Sequence, residues 1–217
     1  MIEVDQHISA VQRQVGSRTL PAGQARVVTI NRTFAAPVDD VWDACTSADR
    51  IPRWFLPISG DLRVGGRYQL EGNAGGVVER CDPPRSFAAT WEFGGEVSGI
   101  EVRLAPSADG GTVLTIDHIG HVDDEFWDRF GPGAVGIGWE LGLLGLAGHL
   151  GAAGVPTPDQ TDAWYPTEEA RTFIGRSSDE WCAAHVASGA DPGAARASAD
   201  RTTAFYTGAE AVPDPAQ

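Results

Sequence analysis

GPGAVGIGWELGLLGLAG, residues 131–148, is the stretch on which the fold turns. It approaches the ~20 residues that a bilayer-crossing helix needs, and Glu140 is its one charged residue. That carboxylate argues against a span, because it costs a few kcal/mol at a bilayer centre and the glycines add no hydrophobicity to offset it. The remaining reading is a core helix of a globular domain, and no membrane span is expected. Val135, Trp139, Leu143, Leu146 and Leu150 recur every three to four residues, which predicts one apolar stripe. Gly136, Gly138, Gly142, Gly145 and Gly148 each cost about 1 kcal/mol relative to Ala in a helix, so tertiary packing must stabilise it. The missing side chains either let the helix approach its neighbours or leave cavity volume.

Upstream of this helix, residues 60–119 read almost wholly as strand. Asp61–Val64, Arg67–Glu71, Gly76–Cys81, Phe87–Phe93, Val97–Leu104 and Thr112–Ile119 are separated by Gly-Gly, Pro-Pro or Asp-Gly-Gly punctuation. Such short connections imply an antiparallel meander. Phe87, Ala89, Trp91 and Phe93 fall on one face of their strand, and Leu114, Ile116 and His118 fall together likewise. Ahead of the meander, Val27–Phe34 alternates as a strand. Pro37, with Asp39 and Asp40 behind it, opens a helix carrying Val41, Trp42 and Cys45. A second short helical piece is expected over 47–54. Residues 1–26 read as a polar extension outside the domain.

Downstream, GAAGVPTPDQTD (151–162) is a linker to two or three helical pieces. Thr167 and Ser177 are candidate N-caps, Ser177 heading a capping-box pattern that closes on Glu180. Residues 209–217, with Pro213 and Pro215, read as a disordered tail. The predicted organisation is a 27–151 core domain, a 152–208 helical extension and two loose ends.

Sixteen basic residues, all Arg, against 30 acidic ones give a net charge of −14 with no basic patch, so nucleic acid and anionic membrane are poor partners. Three widely spaced cysteines, Cys45, Cys81 and Cys182, form no C-x-x-C pair, so no disulfide framework is signalled and a reducing cytoplasm fits best. The N-terminal residues lack the apolar run of a secretory signal.

A strand, helices, a long meander and a closing apolar helix belong together when the helix buries its stripe on the meander's apolar face. In this order and spacing, FAAPVDDVWDACTSADRIPRWF (34–55), DLRVGGRYQL (61–70), GGVVERCDPPRSFAATWEF (75–93), GGTVLTIDHIGH (110–121) and GWELGLLGLAGHL (138–150) resemble the START/Bet v 1-like (SRPBCC) superfamily. The branch is that of the activator of Hsp90 ATPase homologues. The resemblance spans Val27 to Leu150 and implies an α+β helix-grip fold. In it a curved antiparallel sheet wraps around the long C-terminal helix of the domain, with a cavity between them and extra helices beyond.

Trp54, Phe55, Trp91, Phe93, His118, Trp139 and Leu143 are the candidate ligand-binding residues, since ligand sites are mostly apolar with few polar groups. Simple core packing is the alternative for each aromatic. His118 and Glu140 are the candidate catalytic residues. His118 points into the cavity if its strand face is inward, and Glu140 either pairs with an Arg such as Arg53 or Arg67 or faces solvent. His118-x-x-His121-x-Asp123-Asp124 has metal-ligand residue types, but the two histidines point to opposite faces unless the chain turns at Gly120, so no metal is expected. No cofactor motif is present either.

The leading expectation is a module that binds a small hydrophobic or amphipathic molecule. The resemblance also implies two alternatives: a polyketide cyclase/dehydratase-like enzyme using His118 and Glu140 as acid and base, and a chaperone-ATPase-activator-like interaction module. Trp164, Trp181, Phe205 and Tyr206 in the extension either cover the domain or build a homodimer.

Overall fold

The computed structural model describes residues 2–209. The sheet comes first in the folding logic. Its eight strands are β1 (Val11–Leu20), β2 (Gly23–Phe34), β3 (Ile58–Gly60), β4 (Arg67–Leu70), β5 (Gly75–Asp82), β6 (Ser86–Phe93), β7 (Glu96–Pro106) and β8 (Thr112–Gly120). They lie in the order β1-β2-β8-β7-β6-β5-β4-β3, every neighbouring pair antiparallel. The meander from β3 to β8 is thus continuous, and β2 closes onto β8. Alternation places one set of side chains inward, and register aligns them across strands. Ile30, Ile116, Val102 and Phe87 form one inner row, and Val28, His118, Ile100 and Ala89 form the next. A register shift in β5 between Val78 and Arg80 inserts the bulge that helps bend the sheet.

The chain ahead of Val27, expected outside the domain, is instead part of it: α1 (Val4–Ser9) is followed by β1, which pairs with β2 over its whole length. Alternation hid this strand because one inward position is Arg13, whose partner lies far along the chain. Asp61–Val64, expected as a strand, forms a turn held by Arg63 on Asp61. The short helical piece after α2 (Val38–Thr46) contracts to a 3₁₀ turn over Ile51–Arg53.

The glycine-rich run becomes α4 (Gly133–His149), preceded by α3 (Asp124–Phe130). The expected single stripe is too narrow a description. Gly136, Ile137, Glu140, Leu143, Leu144, Leu146 and Ala147 are all buried, so the helix is enclosed on nearly every side. The sheet covers one side; beyond the short α5 (Thr161–Trp164), α6 (Glu168–Ala187) and α7 (Pro192–Tyr206) cover the other. Neither α4 nor any other single helix among the described residues is long and apolar enough to cross a membrane; only the bent pair of α3 and α4 passes that test together.

The glycines resolve toward close approach. A Cβ on Gly136 would overlap the Trp181 ring of α6, and one on Gly145 would overlap the Trp54 carbonyl oxygen. Among the five interior glycines, Gly142 alone lines the cavity described below. Thr167 caps α6 through the Ala170 amide, as expected. Ser177 does not cap: it lies in the middle of α6, fully buried, so the Ser-x-x-Glu pattern there is a coincidence of helix spacing. Trp181 and Trp164 are buried and Tyr206 donates to the Ala134 carbonyl, so these aromatics cover their own chain, while Phe205 stays part-exposed. The tail expected over 209–217 lies, beyond Ala209, outside the described residues.

Candidate functional site

Between the inner face of β4–β8 and α4 lies a half-open cavity of about 140 Å³. Phe87, Ala89 and Trp91 of β6, Ile100 and Val102 of β7 and Leu114 and Ile116 of β8 form its floor. Trp139, Leu143 and Leu146 of α4 form its roof, and Trp54 and Phe55, after the 3₁₀ turn, close one end. Among the described residues no charged side chain lines it.

The candidates predicted from the sequence sort into four groups. Trp54, Phe55, Trp91, Trp139 and Leu143 all line the cavity. Four of them form a continuous aromatic array: Trp54 and Phe55 stack at 5.3 Å, Phe55 and Trp139 at 6.4 Å, and Trp139 meets Trp91 at 5.0 Å. Phe93 does not contribute to the lining; one pleat beyond Trp91, at the hairpin tip, it is 57% exposed. His118 stands behind the wall, its Nδ1 accepting a hydrogen bond from Trp139 Nε1 at 3.2 Å.

Glu140 is on the other side of α4. It is 1% exposed and bound in bidentate fashion by Arg13, with Nε and Nη2 each 2.7 Å from a carboxylate oxygen. The partner is therefore neither Arg53 nor Arg67, as the sequence suggested. A helix position one residue from Trp139 turns about 100°, which carries Glu140 away from the cavity and toward the sheet's β1 edge. Arg13 also donates to the Val11 and Ile8 carbonyls. A charge so fully paired is held as a structural tie, not presented to a substrate.

Several lining residues carry no signal in the sequence. Tyr68, Leu70, Val78 and Cys81 enter the wall because the sheet curls, and curvature is not written in alternation; Cys45 reaches it from α2. Burial pushes the Cys45 thiol and the Tyr68 phenol each up to about 12, so both are neutral and inert as bases near pH 7. Burial also pushes His118 down to about 4, leaving a neutral imidazole. Among the described residues no three His, Cys, Asp or Glu side chains converge as a metal site, and His121 bonds the Gln24 carbonyl instead.

The family model described as "Activator of Hsp90 ATPase homolog 1-like protein" matches residues 35–151. CalU16 from Micromonospora echinospora is similar in its crystal structure, at 36% identity and TM-score 0.62 over 81% of this chain and 98% of that one. Its solution structure gives 37% identity and TM-score 0.68 over 83% and 97%. DynU16, a protein of the dynemicin biosynthetic locus, shares the fold at 24% identity and TM-score 0.50, over 57% of this chain and 46% of its own. No curated protein matches the sequence. With more than half of the chain matched by the family model and nearly all of CalU16 covered, the protein belongs to the Activator of Hsp90 ATPase homolog 1-like family of the SRPBCC superfamily.

Proposed function

We propose that this protein binds a small, uncharged, largely aromatic molecule between α4 and the sheet. The observation that carries the reading is where the wall's polar atoms go. Trp54 Nε1 donates to the Ala44 carbonyl at 2.9 Å, Tyr68 Oη to the Thr90 carbonyl at 2.7 Å, Thr46 Oγ1 to the Trp42 carbonyl at 2.8 Å, and Trp139 Nε1 to His118. Each is satisfied within the protein, so the wall that a ligand meets is apolar. A charged group inside would lose its hydration with no counter-ion to replace it. An amphipathic ligand therefore fits with its head at the opening. An apolar cavity of about 150 Å³ is known to take up benzene, so one or two rings suit the space here.

Binding is favoured over turnover because the candidate acid and base are apart: His118 lies behind Trp139 and Glu140 is engaged by Arg13 on the far side of α4. A cyclase or dehydratase needs a positioned proton donor or acceptor within hydrogen-bond reach of the substrate.

The test is titration with 1-aminonaphthalene, a neutral two-ring fluorophore. Saturable enhancement at one probe per chain is expected. Ala89→Phe, which puts a ring into the cavity from the floor, is expected to abolish it while the circular dichroism of the fold persists. Enhancement that never saturates, or that survives Ala89→Phe unchanged, overturns the proposal.

A further inference from the structure

Trp139 is anchored at its nitrogen by a chain of hydrogen bonds whose direction is determined at every link. An indole N–H only donates, so His118 Nδ1, 3.2 Å away, must offer a lone pair. The ring proton of a neutral His118 then sits on Nε2, which faces Ser98 Oγ at 2.8 Å. With its oxygen accepting there, Ser98 turns its own hydrogen to the Trp91 carbonyl at 3.2 Å. Proton order thus runs Trp139, His118, Ser98, Trp91, and ties α4 to β8, β7 and β6 in turn.

The local structure explains why these residues meet. His118 pairs with Ile100 across β8 and β7, and Ser98, two residues along β7, shares its inward face and pairs with Trp91 on β6. Gly120 is the next inward position on β8, and a Cβ there would come within 3.1 Å of the Ser98 Cβ. The Trp139 ring, held at its nitrogen, packs against both Trp91 and Phe55.

We propose that His118 and Ser98 are positioning residues for ligand recognition: they fix the rotamer of Trp139, and Trp139 sets the width of the cavity. The inference rests on the ligand-binding reading above and deepens it, giving the half-buried histidine a role in specificity without contact with ligand. Neutrality of the ring, enforced by burial, keeps Nδ1 an acceptor. Protonation there would set one donor against another.

Two measurements separate this inference from the reading it rests on. The first needs no ligand: long-range proton–nitrogen NMR of the wild-type protein should show His118 as the Nε2–H tautomer, and the Trp139 indole proton should exchange slowly with water. In His118→Ala the indole proton should exchange rapidly. His118→Gln, whose amide can accept from the indole and donate to Ser98, should restore protection. An Nδ1–H tautomer, or unchanged exchange in His118→Ala, overturns the proposal whether or not any ligand binds.

The second is a mutant cycle read with 1-aminonaphthalene. His118→Ala should weaken binding about fivefold, the equivalent of one neutral hydrogen bond of roughly 1 kcal/mol. In a Trp139→Phe background, where no indole remains to hold, the same change should have little further effect. Equal losses in both backgrounds would show that His118 acts by bulk packing and would sink the positioning role. A wild-type protein that takes up no probe refutes the binding reading, while the tautomer and exchange data still decide the geometry.

Discussion

At the scale of single residues, the histidines show how burial sets behaviour. His118 is pushed down to about 4 by burial, and His7 to about 4 by burial and then by the Arg32 guanidinium, whose Nη2 lies 3.0 Å from its Nδ1. The unfolded chain binds these protons near pH 6.5, before the folded chain does. Stability is therefore fully present above about pH 6.5 and is lost as pH falls from there toward 4. The His118 share is on the order of 3 kcal/mol, at 1.36 kcal/mol per pH unit between 6.5 and about 4. Urea unfolding should show a lower midpoint at pH 4.5 than at pH 7, and His118→Gln should flatten part of that slope. A midpoint constant across this window would contradict the neutral, buried state assigned to the ring.

At the scale of the element, the packed pair α4 and α6 separates two kinds of glycine. Gly136 faces Trp181 so closely that an added Cβ must displace the indole, whereas Gly175, within α6, has nothing within 4 Å of where its Cβ would be. Gly136→Ala should therefore destabilise by about 1–3 kcal/mol through overpacking. Gly175→Ala should stabilise by up to about 1 kcal/mol through helix propensity alone. Opposite signs in thermal unfolding are the expected outcome, and a stabilising Gly136→Ala would mean α4 and α6 are less tightly apposed than described.

The same helix shows what was legible in the sequence. Its existence, and the meander beneath it, follow from periodicity and turn punctuation, and the residues of its cavity-facing stripe were found the same way. Burial of its other sides is also written in the composition, since Glu140 is the one charged residue of the run and a helix apolar all round is a buried one, but a reading by a single stripe passes over it. Five aromatic and aliphatic cavity residues were readable from alternation and spacing. The Tyr68 and Cys81 parts of the wall were not, because sheet curvature brings them there, and neither was the approach of Cys45 on α2. Phe93 shows the converse error: it shares a face with Trp91, but the sheet ends before the helix can cover it.

At the scale of the whole molecule, the question is what constitutes the folding unit. The stretch that matches the family model, 35–151, holds most of the meander and α4, and the sequence resemblance suggested 27–151 as a self-contained domain. Two contacts speak for a larger unit. Arg13, on β1, is the bidentate partner of Glu140, whose side chain is fully buried. Ile174 and Trp181, on α6, are 0% and 1% exposed within the same hydrophobic cluster as Ile137, Leu143 and Leu146 of α4. A 27–151 fragment would keep Glu140 and lose Arg13, and an orphaned partner of a buried ion pair costs about 3–5 kcal/mol. It would also strip α6 from the Gly136 face of α4. These losses rival the 5–15 kcal/mol that holds an ordinary domain together. The fragment should accordingly lack a cooperative thermal transition and expose tryptophan to solvent, whereas residues 2–209 should unfold in one transition. Restoring Arg13 alone, by starting the fragment at residue 2 and ending it at 151, should recover little, because the α4 face beneath Trp181 would still be bare. A 27–151 fragment that melts cooperatively would show that the outer helices and β1 decorate an independent core, and that the Arg13–Glu140 pair contributes far less than its geometry implies.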